Sequence, residues 1–583
     1  MDDWNADLML HVIQYLNIAD LGRFAQSARR YAYLVHQFST TLRGPEMVAR
    51  TSEMRSLRST SSTESMAHQL TKQAAQALQS HPNLALAFST LSSSLAEDLP
   101  HNLPTHCVTL GVQSGSIQSC NTHEPGQMDC RSNAGLMLAH LPGASTIFPF
   151  IWEMMERDDT PHTLVQQLVQ QQQQNQANFK VFLVYASGQE ASVAEDFVKE
   201  LQAAFPESTI VGGICSGGYC SQSTDHLTRE NLTELSSVDL VAYYRGIGLR
   251  DDPSWTKAQL MDHILLAITH NKKHPWRLRV LDEGAIFGVA LGGENIPVRS
   301  VVSRGVESLT NRQGSREPLT EEPQLLIHSA ALHKPGDREY MFQPTDRAPP
   351  YHIVRSVRDR HTDKVYTINQ LVNQFSQPDF IGIQRAKAEE GYDLMMPHPL
   401  SYNLNAYLFL LNEGDSPASS LEGRPMDLLD LTGESCLRDM NQTMQHLKEQ
   451  TADEQVLGAI MVSCSARGPT ATSMLNKAMA DASSFTAAFP TTPCLGFYAG
   501  GEIGPMALAG ARRTIFRQGQ AALQGFTAVF ALFIVPKFRL PDHALLNDDP
   551  QHVQGYIARL YGASNSTTST SQDESMDTTG PIS

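Results

Sequence analysis

Three segments of this chain share one layout, and that repetition constrains the fold more than any other feature of the sequence. Each segment opens with an apolar run typical of a strand, continues through a helical stretch and returns as a second run that ends in glycine-rich sequence. The paired runs are 84–90 with 106–116, 181–188 with 208–218, and 457–468 with 492–505. The layout predicts related βαβ-like units.

The second and third segments match most closely around a shared Ala-Ala-Phe-Pro sequence. Pro206 and Pro490 end this tetrapeptide, and Gly212 and Gly496 each follow six residues after the proline. Proline ends a helix because it lacks a backbone N–H, and glycine permits close approach of the backbone. Since α/β folds place ligands at the ends of such strands, the glycine-rich ends predict a binding site.

Charge and motif content exclude several classes of function. The formal charge of −17 disfavours binding to nucleic acid or to an anionic membrane surface, both of which attract basic proteins. The eight cysteines include no CxxC pair, and no nucleotide-binding glycine motif occurs, so we expect no metal and no cofactor. The acidic N-terminus and the lack of a long apolar stretch predict a location in the cytoplasm, the nucleus or both.

Residues 4–35 have the apolar spacing of helices. Asn5 and Asp20 stand where a helix cap is expected, and the intervening sequence breaks at residues 17–19. A unit of about 45 residues is too small to bury all its apolar side chains alone. We therefore expect this unit to pack against a partner protein or against the rest of the chain.

The sequence WNADLMLHVIQYLNIADLGRFAQSARRYAYL in this unit resembles an F-box. It departs from the F-box pattern at Asn5, where proline is usual, and at Tyr31, where tryptophan is usual. The resemblance implies binding to the Skp adaptor of a cullin-based ubiquitin ligase. The residues that would contact the adaptor are Trp4, Leu8, Met9, Val12, Ile13, Leu16, Leu21, Phe24 and Tyr31. The alternative is an ordinary helical hairpin docked on the following domain.

The repeated segments resemble a second family. The sequence between 179 and 218 and the sequence GAIFGVALGGENIPVRSVVSRG look like the N-terminal part of a FIST domain. The sequences GAIMVSCSARG, AAFPTTPCLGFYAGGEIGP and QGFTAVFALF look like its C-terminal part. This family is associated with sensing small ligands and, when joined to an F-box, with recruiting substrates for ubiquitination.

Together these features predict an α+β protein: an N-terminal three-helix F-box and a two-part, α/β-layered FIST body with βαβ-like repeated units. The predicted boundaries are 1–48 for the F-box, 49–80 for a linker or helical joint, 81–308 for the FIST N-terminal domain, 309–350 for a connecting loop region, 351–540 for the FIST C-terminal domain, 541–561 for a C-terminal extension and 562–583 for a disordered tail.

The glycine-rich strand ends supply the candidate binding residues. These are Cys464, Arg467, Gly468, Gly496, Phe497, Gly500, Gly501, Glu502, Gly504, Gly212 and Gly213. Arg467 would anchor an acidic ligand, or would lower the pKa of the Cys464 thiol and make it reactive. The alternatives to these binding roles are that Cys464 is buried and inert, that Phe497 belongs to the core, and that Glu502 only stabilises its own turn. Arg304, in Ser303-Arg304-Gly305, offers a second Arg-Gly strand end.

The resemblance favours a substrate-recognition subunit of a Skp–cullin–F-box ubiquitin ligase that performs no catalysis itself. The FIST body would capture an unidentified substrate protein and, in addition, a small ligand. A sensor of small ligands whose F-box-like helices recruit no ligase is the alternative. An enzyme that uses Cys464 or Glu502 is a weaker third hypothesis, since no GxSxG motif accompanies them.

Overall fold

The computed structural model describes residues between 45 and 536. Its gaps lie at 54–65, 79–80, 91–93, 105, 121–132, 142–145, 155–159, 189–190, 225–227, 248, 250–254, 272–275, 282, 294–297, 309–324, 334–350, 376–379, 385–391, 396–397, 400–406, 411–420, 469–474, 476–478 and 506–520. Residues 1–44 of the predicted F-box, the C-terminal extension and the predicted disordered tail lie outside the described residues.

The three predicted segments each form a strand, a helix and a second, parallel strand, as the sequence predicts. In the first segment, which we call unit 1, the elements are β1 (Glu46–Glu53), α1 (Met66–Ala77), β2 (Leu84–Ser89), α2 (Ser94–Asn102), β3 (Val108–Gln113), β4 (Ile117–Cys120) and β5 (Asn133–His140). β2 and β3 are the parallel pair.

Unit 2 follows the same order and carries an insertion. Its elements are β6 (Thr146–Glu153), α3 (His162–Gln174), β7 (Phe179–Ser187), α4 (Ala191–Ala204), β8 (Thr209–Cys215), β9 (Gly217–Ser223) and β11 (Ala285–Gly292). The insertion before β11 holds α5 (Arg229–Glu234), α6 (Ser237–Gly246), α7 (Lys257–Asn271) and β10 (Trp276–Leu281). β7 and β8 are its parallel pair.

Unit 3 has the same order again, interrupted by a separate sheet. Its elements are β12 (Val298–Ser303), α9 (Gly433–Gln450), β22 (Glu454–Cys464), α10 (Ala480–Ala488), β23 (Cys494–Ala499), β24 (Glu502–Pro505), β25 (Ala521–Gln524) and β26 (Ala528–Pro536). A short 3₁₀ helix, Ser465–Arg467, follows β22. β22 and β23 are its parallel pair.

The separate sheet lies between β12 and α9 in sequence. It consists of β13 (Val306–Ser308), β14 (Leu325–His333), β15 (Tyr351–Asp359), β16 (Val365–Thr367), α8 (Ile368–Phe375), β17 (Phe380–Gln384), β18 (Tyr392–Met395), β19 (His398–Pro399), β20 (Tyr407–Leu410) and β21 (Pro425–Leu431). It has an apolar core of its own, which includes Ile327, Val357 and Leu428.

The three units build three sheets with one strand order, which gives the body a pseudo-threefold arrangement. The orders are β1-β5-β2-β3-β9, β6-β11-β7-β8-β24 and β12-β26-β22-β23-β4, with β10 and β25 added at two edges. The last strand of each sheet comes from a different unit: β4 pairs with β23, β24 with β8, and β9 with β3. Each unit thus passes one short strand to a neighbour, and the three exchanges close a ring.

One apolar core lies inside the ring. Phe88 of unit 1 stacks on Phe497 of unit 3 at a ring-centroid distance of 6.1 Å, and Tyr185 of unit 2 meets Phe497 edge-on at 5.7 Å. The alternate residues of β2, Ala85 and Ala87, face α1 and α2 instead. Strands buried on both faces are continuously apolar, and this accounts for runs such as LALAFS.

The glycine shared by the repeated segments has a structural role. Gly212 lies beside Val184, and Gly496 beside Met461, in the parallel pairs of units 2 and 3. A Cβ on Gly212 would lie 1.6 Å from the Val184 carbonyl oxygen, and one on Gly496 would lie 1.7 Å from that of Met461. Only glycine allows the strands to approach this closely, so both residues are required by packing.

The described elements cross the predicted domain boundaries at three places. Residues 49–80 contain most of β1 and all of α1, because Met47, Ala49 and Leu70 are buried in unit 1. The predicted connecting loop at 309–350 contains β14. The boundary at 308 separates β12 from β26 in sequence, although the two strands pair along their length. The body therefore consists of three interlocked units and a fourth sheet, rather than two successive parts.

Candidate functional site

A buried carboxylic acid distinguishes unit 3 from the other two units. Each exchanged strand has a residue that lies opposite the same glycine position: Gln118 faces Gly496, Tyr219 faces Gly111, and Ile503 faces Gly212. The residues immediately before them are Ile117, Gly218 and Glu502. Glu502 is fully buried, and it thus stands where the other units have an apolar side chain or none. This break in the repeat marks the candidate site.

The Glu502 carboxyl group is bonded on one oxygen only. Its Oε2 accepts a hydrogen bond from the Thr527 backbone N–H at 3.1 Å and another from the Thr527 hydroxyl at 2.8 Å. Its Oε1 is buried and has no well-formed hydrogen bond to any described residue. Burial raises the pKa of Glu502 to about 8, although Thr527, Cys464 and Arg467 oppose the shift. Glu502 is therefore mostly protonated at neutral pH, and since Oε2 accepts two bonds, the proton belongs on Oε1.

Cys464 is the last residue of β22 and lies beside the Glu502 carboxyl group. Burial, and next the neighbouring Glu502, raise the pKa of the Cys464 thiol to about 11. A thiol with this pKa is protonated at neutral pH and is a weak nucleophile. The direction of the shift is opposite to the one that a reactive Cys464 would require.

Arg467 forms a buried ion pair in place of the predicted contact with a ligand. Its Nε donates to Asp481 Oδ2 at 3.0 Å and its Nη2 donates to Oδ1 at 2.7 Å, and both side chains are almost completely buried. Burial alone would lower the pKa of Arg467, but the Asp481 carboxylate outweighs burial and raises it. Because Asp481 occupies the Nε–Nη2 edge of the guanidinium group and Nη1 donates to the Phe526 backbone oxygen at 3.5 Å, a ligand carboxylate would have to displace Asp481 to bind this edge, and Arg467 instead links the end of β22 to α10.

Arg304 is the second arginine of the site, and its guanidinium group is incompletely paired. Nη2 donates to the Gln524 side-chain oxygen at 3.0 Å, whereas Nε is buried and has no hydrogen bond to a described residue. Burial lowers the pKa of Arg304 to about 10, while the charges of Glu502 and Asp439 act in the opposite direction. Arg304 therefore stays positively charged at neutral pH and lies within electrostatic reach of Glu502.

The end of β12 fixes the position of Arg304. Asp439 of α9 accepts two hydrogen bonds on Oδ2, from the Ser303 hydroxyl at 2.6 Å and from the Arg304 backbone N–H at 3.0 Å. Gly305 follows with a φ of +88°, and a Cβ there would lie 2.5 Å from the Cα of Cys436. Helix α9 thus holds this strand end against the site.

The glycine-rich ends of the second and third repeated segments meet in this region. Gly213 lies opposite Glu502, and the backbones of Ile214, Gly500 and Gly501 exchange hydrogen bonds of 2.8 and 3.0 Å. Close packing explains the other glycines: a Cβ on Gly504 would lie 2.6 Å from Val529, and one on Gly468 would lie 2.9 Å from the Ser465 oxygen.

Phe497, also predicted as a binding residue, is fully buried in the central core together with Gly496. The structure therefore brings Cys464, Arg467 and Glu502 together around Thr527 and gives Phe497 a packing role. Their ligand-binding role remains a prediction.

Comparison with known families supports part of this picture. A model of the FIST C domain matches residues 419–505. These residues form a FIST C domain. The match spans β21 of the separate sheet and α9, β22, α10, β23 and β24 of unit 3, and so includes Cys464, Arg467 and Glu502. FIST domains are associated with small-ligand sensing and signal transduction. No curated protein matches the chain.

Several residues of the site were not predicted from the sequence. Thr527 lies in the Gly-Phe-Thr sequence already noted, but nothing in that pattern indicates a contact with Glu502. Asp481, Asp439 and Gln524 lie in ordinary polar positions of helices and an edge strand. Among the described residues no group of three or more His, Cys, Asp or Glu side chains is arranged to hold a metal ion. In the same residues no helix is long and apolar enough to cross a membrane.

Proposed function

We propose that this chain is the substrate-recognition subunit of a Skp–cullin–F-box ubiquitin ligase. The N-terminal F-box-like residues would bind the Skp adaptor, and the FIST body would capture the protein to be ubiquitinated and degraded. The chain itself would contribute proximity and orientation, which accelerate transfer without catalytic side chains.

The observation that carries this proposal is the joining of two kinds of sequence in one chain. The F-box-like residues 4–35 come before β1, the first described strand, which begins at Glu46 at the edge of a sheet. The FIST C domain with its buried polar cluster follows in the same chain. An F-box-like sequence that precedes the described strands, joined in one chain to a FIST C domain, suits an adaptor-binding segment attached to a recognition module.

Co-expression with the Skp adaptor, followed by size-exclusion chromatography, tests the proposal. We expect a one-to-one complex with the wild-type chain and none with Leu8→Asp/Ile13→Asp, which places two charges on the predicted apolar face. The matched control is His11→Asp/Gln14→Asp, which adds two carboxylates at positions that the F-box pattern leaves open. A wild-type chain that elutes alone, or equal loss of the complex in both double variants, would contradict the proposal.

A second candidate function is a sensor of small ligands that recruits no ligase. The unpaired polar atoms of Glu502 and Arg304 favour it, because a buried polar group without a hydrogen-bond partner requires an explanation, and a bound ligand would supply one. A sensor predicts thermal stabilisation by a metabolite together with no adaptor complex. The co-expression experiment therefore separates the two candidates.

A further inference from the structure

Arg304 differs from the neighbouring arginines because its guanidinium group forms no ion pair with a described residue. Asp481 fills the Nε and Nη2 positions of Arg467, and Arg299, in the strand that ends one residue before Arg304, makes two hydrogen bonds of 2.9 and 3.0 Å to Glu454. Arg304 has no ion pair with any described residue, and its one side-chain hydrogen bond is to the neutral amide of Gln524. The charges of Asp439 and Glu502 favour the charged form of Arg304, but its buried Nε has no hydrogen bond to a described residue, so a negatively charged group at that position would offset the cost of burial.

Glu502 supplies a second unsatisfied donor next to this cation. With Oε2 accepting two hydrogen bonds from Thr527, a protonated Oε1 can donate but has no acceptor among the described residues. The Cys464 thiol beside it is protonated and already interacts with the Glu502 carboxyl group. The buried Nε of Arg304 and a protonated Oε1 of Glu502 are therefore two donor positions without a well-formed acceptor among the described residues.

We propose that Arg304 and Glu502 bind the carboxylate group of a ligand, with Arg304 as the charge partner and Glu502 as a neutral hydrogen-bond donor. This inference rests on the recognition role proposed above for the FIST body. The ligand brings two acceptor oxygens and a single negative charge to these two donor positions. A carboxylate matches the cluster better than a phosphate dianion, because Arg304 is the one cation of the cluster that no described carboxylate pairs.

The fold fixes the position of Arg304. Asp439 accepts a hydrogen bond from the Arg304 backbone N–H, and Gly305 packs against α9, so the backbone that carries the guanidinium is preorganised. Arg304 is partly buried and Glu502 is fully buried, so a carboxylate bound by both would be largely shielded from water.

Calorimetric titration and thermal melting of the purified full chain, without the adaptor, test this inference. The probes are acetate, propionate and succinate, each compared at equal ionic strength with acetamide, propionamide and inorganic phosphate. A short peptide with a free C-terminus, compared with its C-terminal amide, distinguishes a peptide source of the carboxylate from a small acid. We expect at least one carboxylate probe to bind and its amide counterpart not to bind.

Two substitutions assign the binding to the cluster. Arg304→Gln should weaken binding of the carboxylate by about 10-fold or more, which is the loss expected when a charge-assisted hydrogen bond is removed. The matched control is Arg299→Gln in the preceding strand, which should leave binding unchanged. Glu502→Leu removes the proposed donor and should weaken carboxylate binding more than Glu502→Gln, which keeps a neutral donor at the same place. If Arg304→Gln fails to fold, Arg304→Lys keeps the charge and should bind more weakly while still preferring carboxylate to amide.

Binding of none of the carboxylates would overturn the inference, as would equal binding of the amides or of phosphate, or equal loss in Arg304→Gln and Arg299→Gln. Because no adaptor is present, these outcomes are independent of whether the chain joins a ligase. Loss of the adaptor complex with intact carboxylate binding would refute the ligase proposal alone.

Discussion

Glu502 shows how one buried residue can make the stability of this chain depend on pH. The native pKa of about 8 lies above the ordinary value of 4.5, so the folded state holds a proton that the unfolded state releases. The resulting stability is present below about pH 4.5 and is lost as pH rises through about 8.

We therefore expect the free energy of unfolding of the wild type, relative to that of Glu502→Gln, to fall between pH 5.5 and pH 8.5. Glutamine cannot ionise, so the variant lacks this contribution, while all other titrating groups are common to both proteins. Urea unfolding at several pH values measures the difference. Parallel pH profiles for the two proteins would show that Glu502 is not held protonated.

The Arg467–Asp481 pair is expected to matter for stability rather than for binding. Asp481→Asn leaves a fully buried guanidinium without its counter-charge, and breaking a buried pair in this way costs about 3–5 kcal/mol. The matched control is Glu207→Gln, which breaks the exposed pair with Lys180 and should cost below about 1 kcal/mol. Urea unfolding checks both variants, and equal losses would mean that burial does not decide the cost.

At the scale of elements, the shared glycine of the repeated segments controls the spacing of the parallel strands. Gly496→Ala would place a methyl group 1.7 Å from the Met461 carbonyl oxygen, so β22 and β23 would have to separate. We expect a loss of about 2 kcal/mol or more, of the size found for overpacked cores. Gly115→Ala, where no atom lies within 4 Å of the added carbon, is the control and should change stability little. Thermal melting that shifts equally in both variants would contradict this explanation.

The elements that the sequence predicts best are those with strong local signals. The parallel strands of the three units are apolar runs with a helix between them, and all three were predicted. β1 and β14 were assigned to a joint and a loop, because they lie in or next to polar stretches. β1 pairs with β5, 80 residues further along the chain, and β14 pairs with β15, about 20 residues further along. The local sequence does not indicate these pairings.

The sequence predicts only part of the site, because only some of its residues lie in a recognisable local pattern. Cys464, Arg467 and Glu502 follow glycine-rich strand ends, which a sequence displays. The partner of Arg467 is a helical aspartate 14 residues away, and Arg304 comes from a strand more than 150 residues earlier that joins unit 3 by pairing with β26. Only the assembled ring brings these side chains together.

At the scale of the whole molecule, the exchanged strands make the three units depend on one another. Residues 309–583 alone would lack β12 and β4, the two edge strands of the third sheet, and residues 1–308 alone would lack β24. We expect either fragment expressed alone to aggregate and the two co-expressed fragments to form a soluble complex. Recovery of a monomeric, cooperatively melting 309–583 fragment by size-exclusion chromatography would contradict the interlocked arrangement.

The central claim is that one chain joins an adaptor-binding segment to a separate recognition body. Hydrogen–deuterium exchange of the full chain, with and without the Skp adaptor, tests it most directly. The account predicts that the adaptor slows amide exchange in residues 4–35 and leaves the sheets between 46 and 536 unchanged. Unchanged exchange in residues 4–35, or protection spread through the three units, would contradict it.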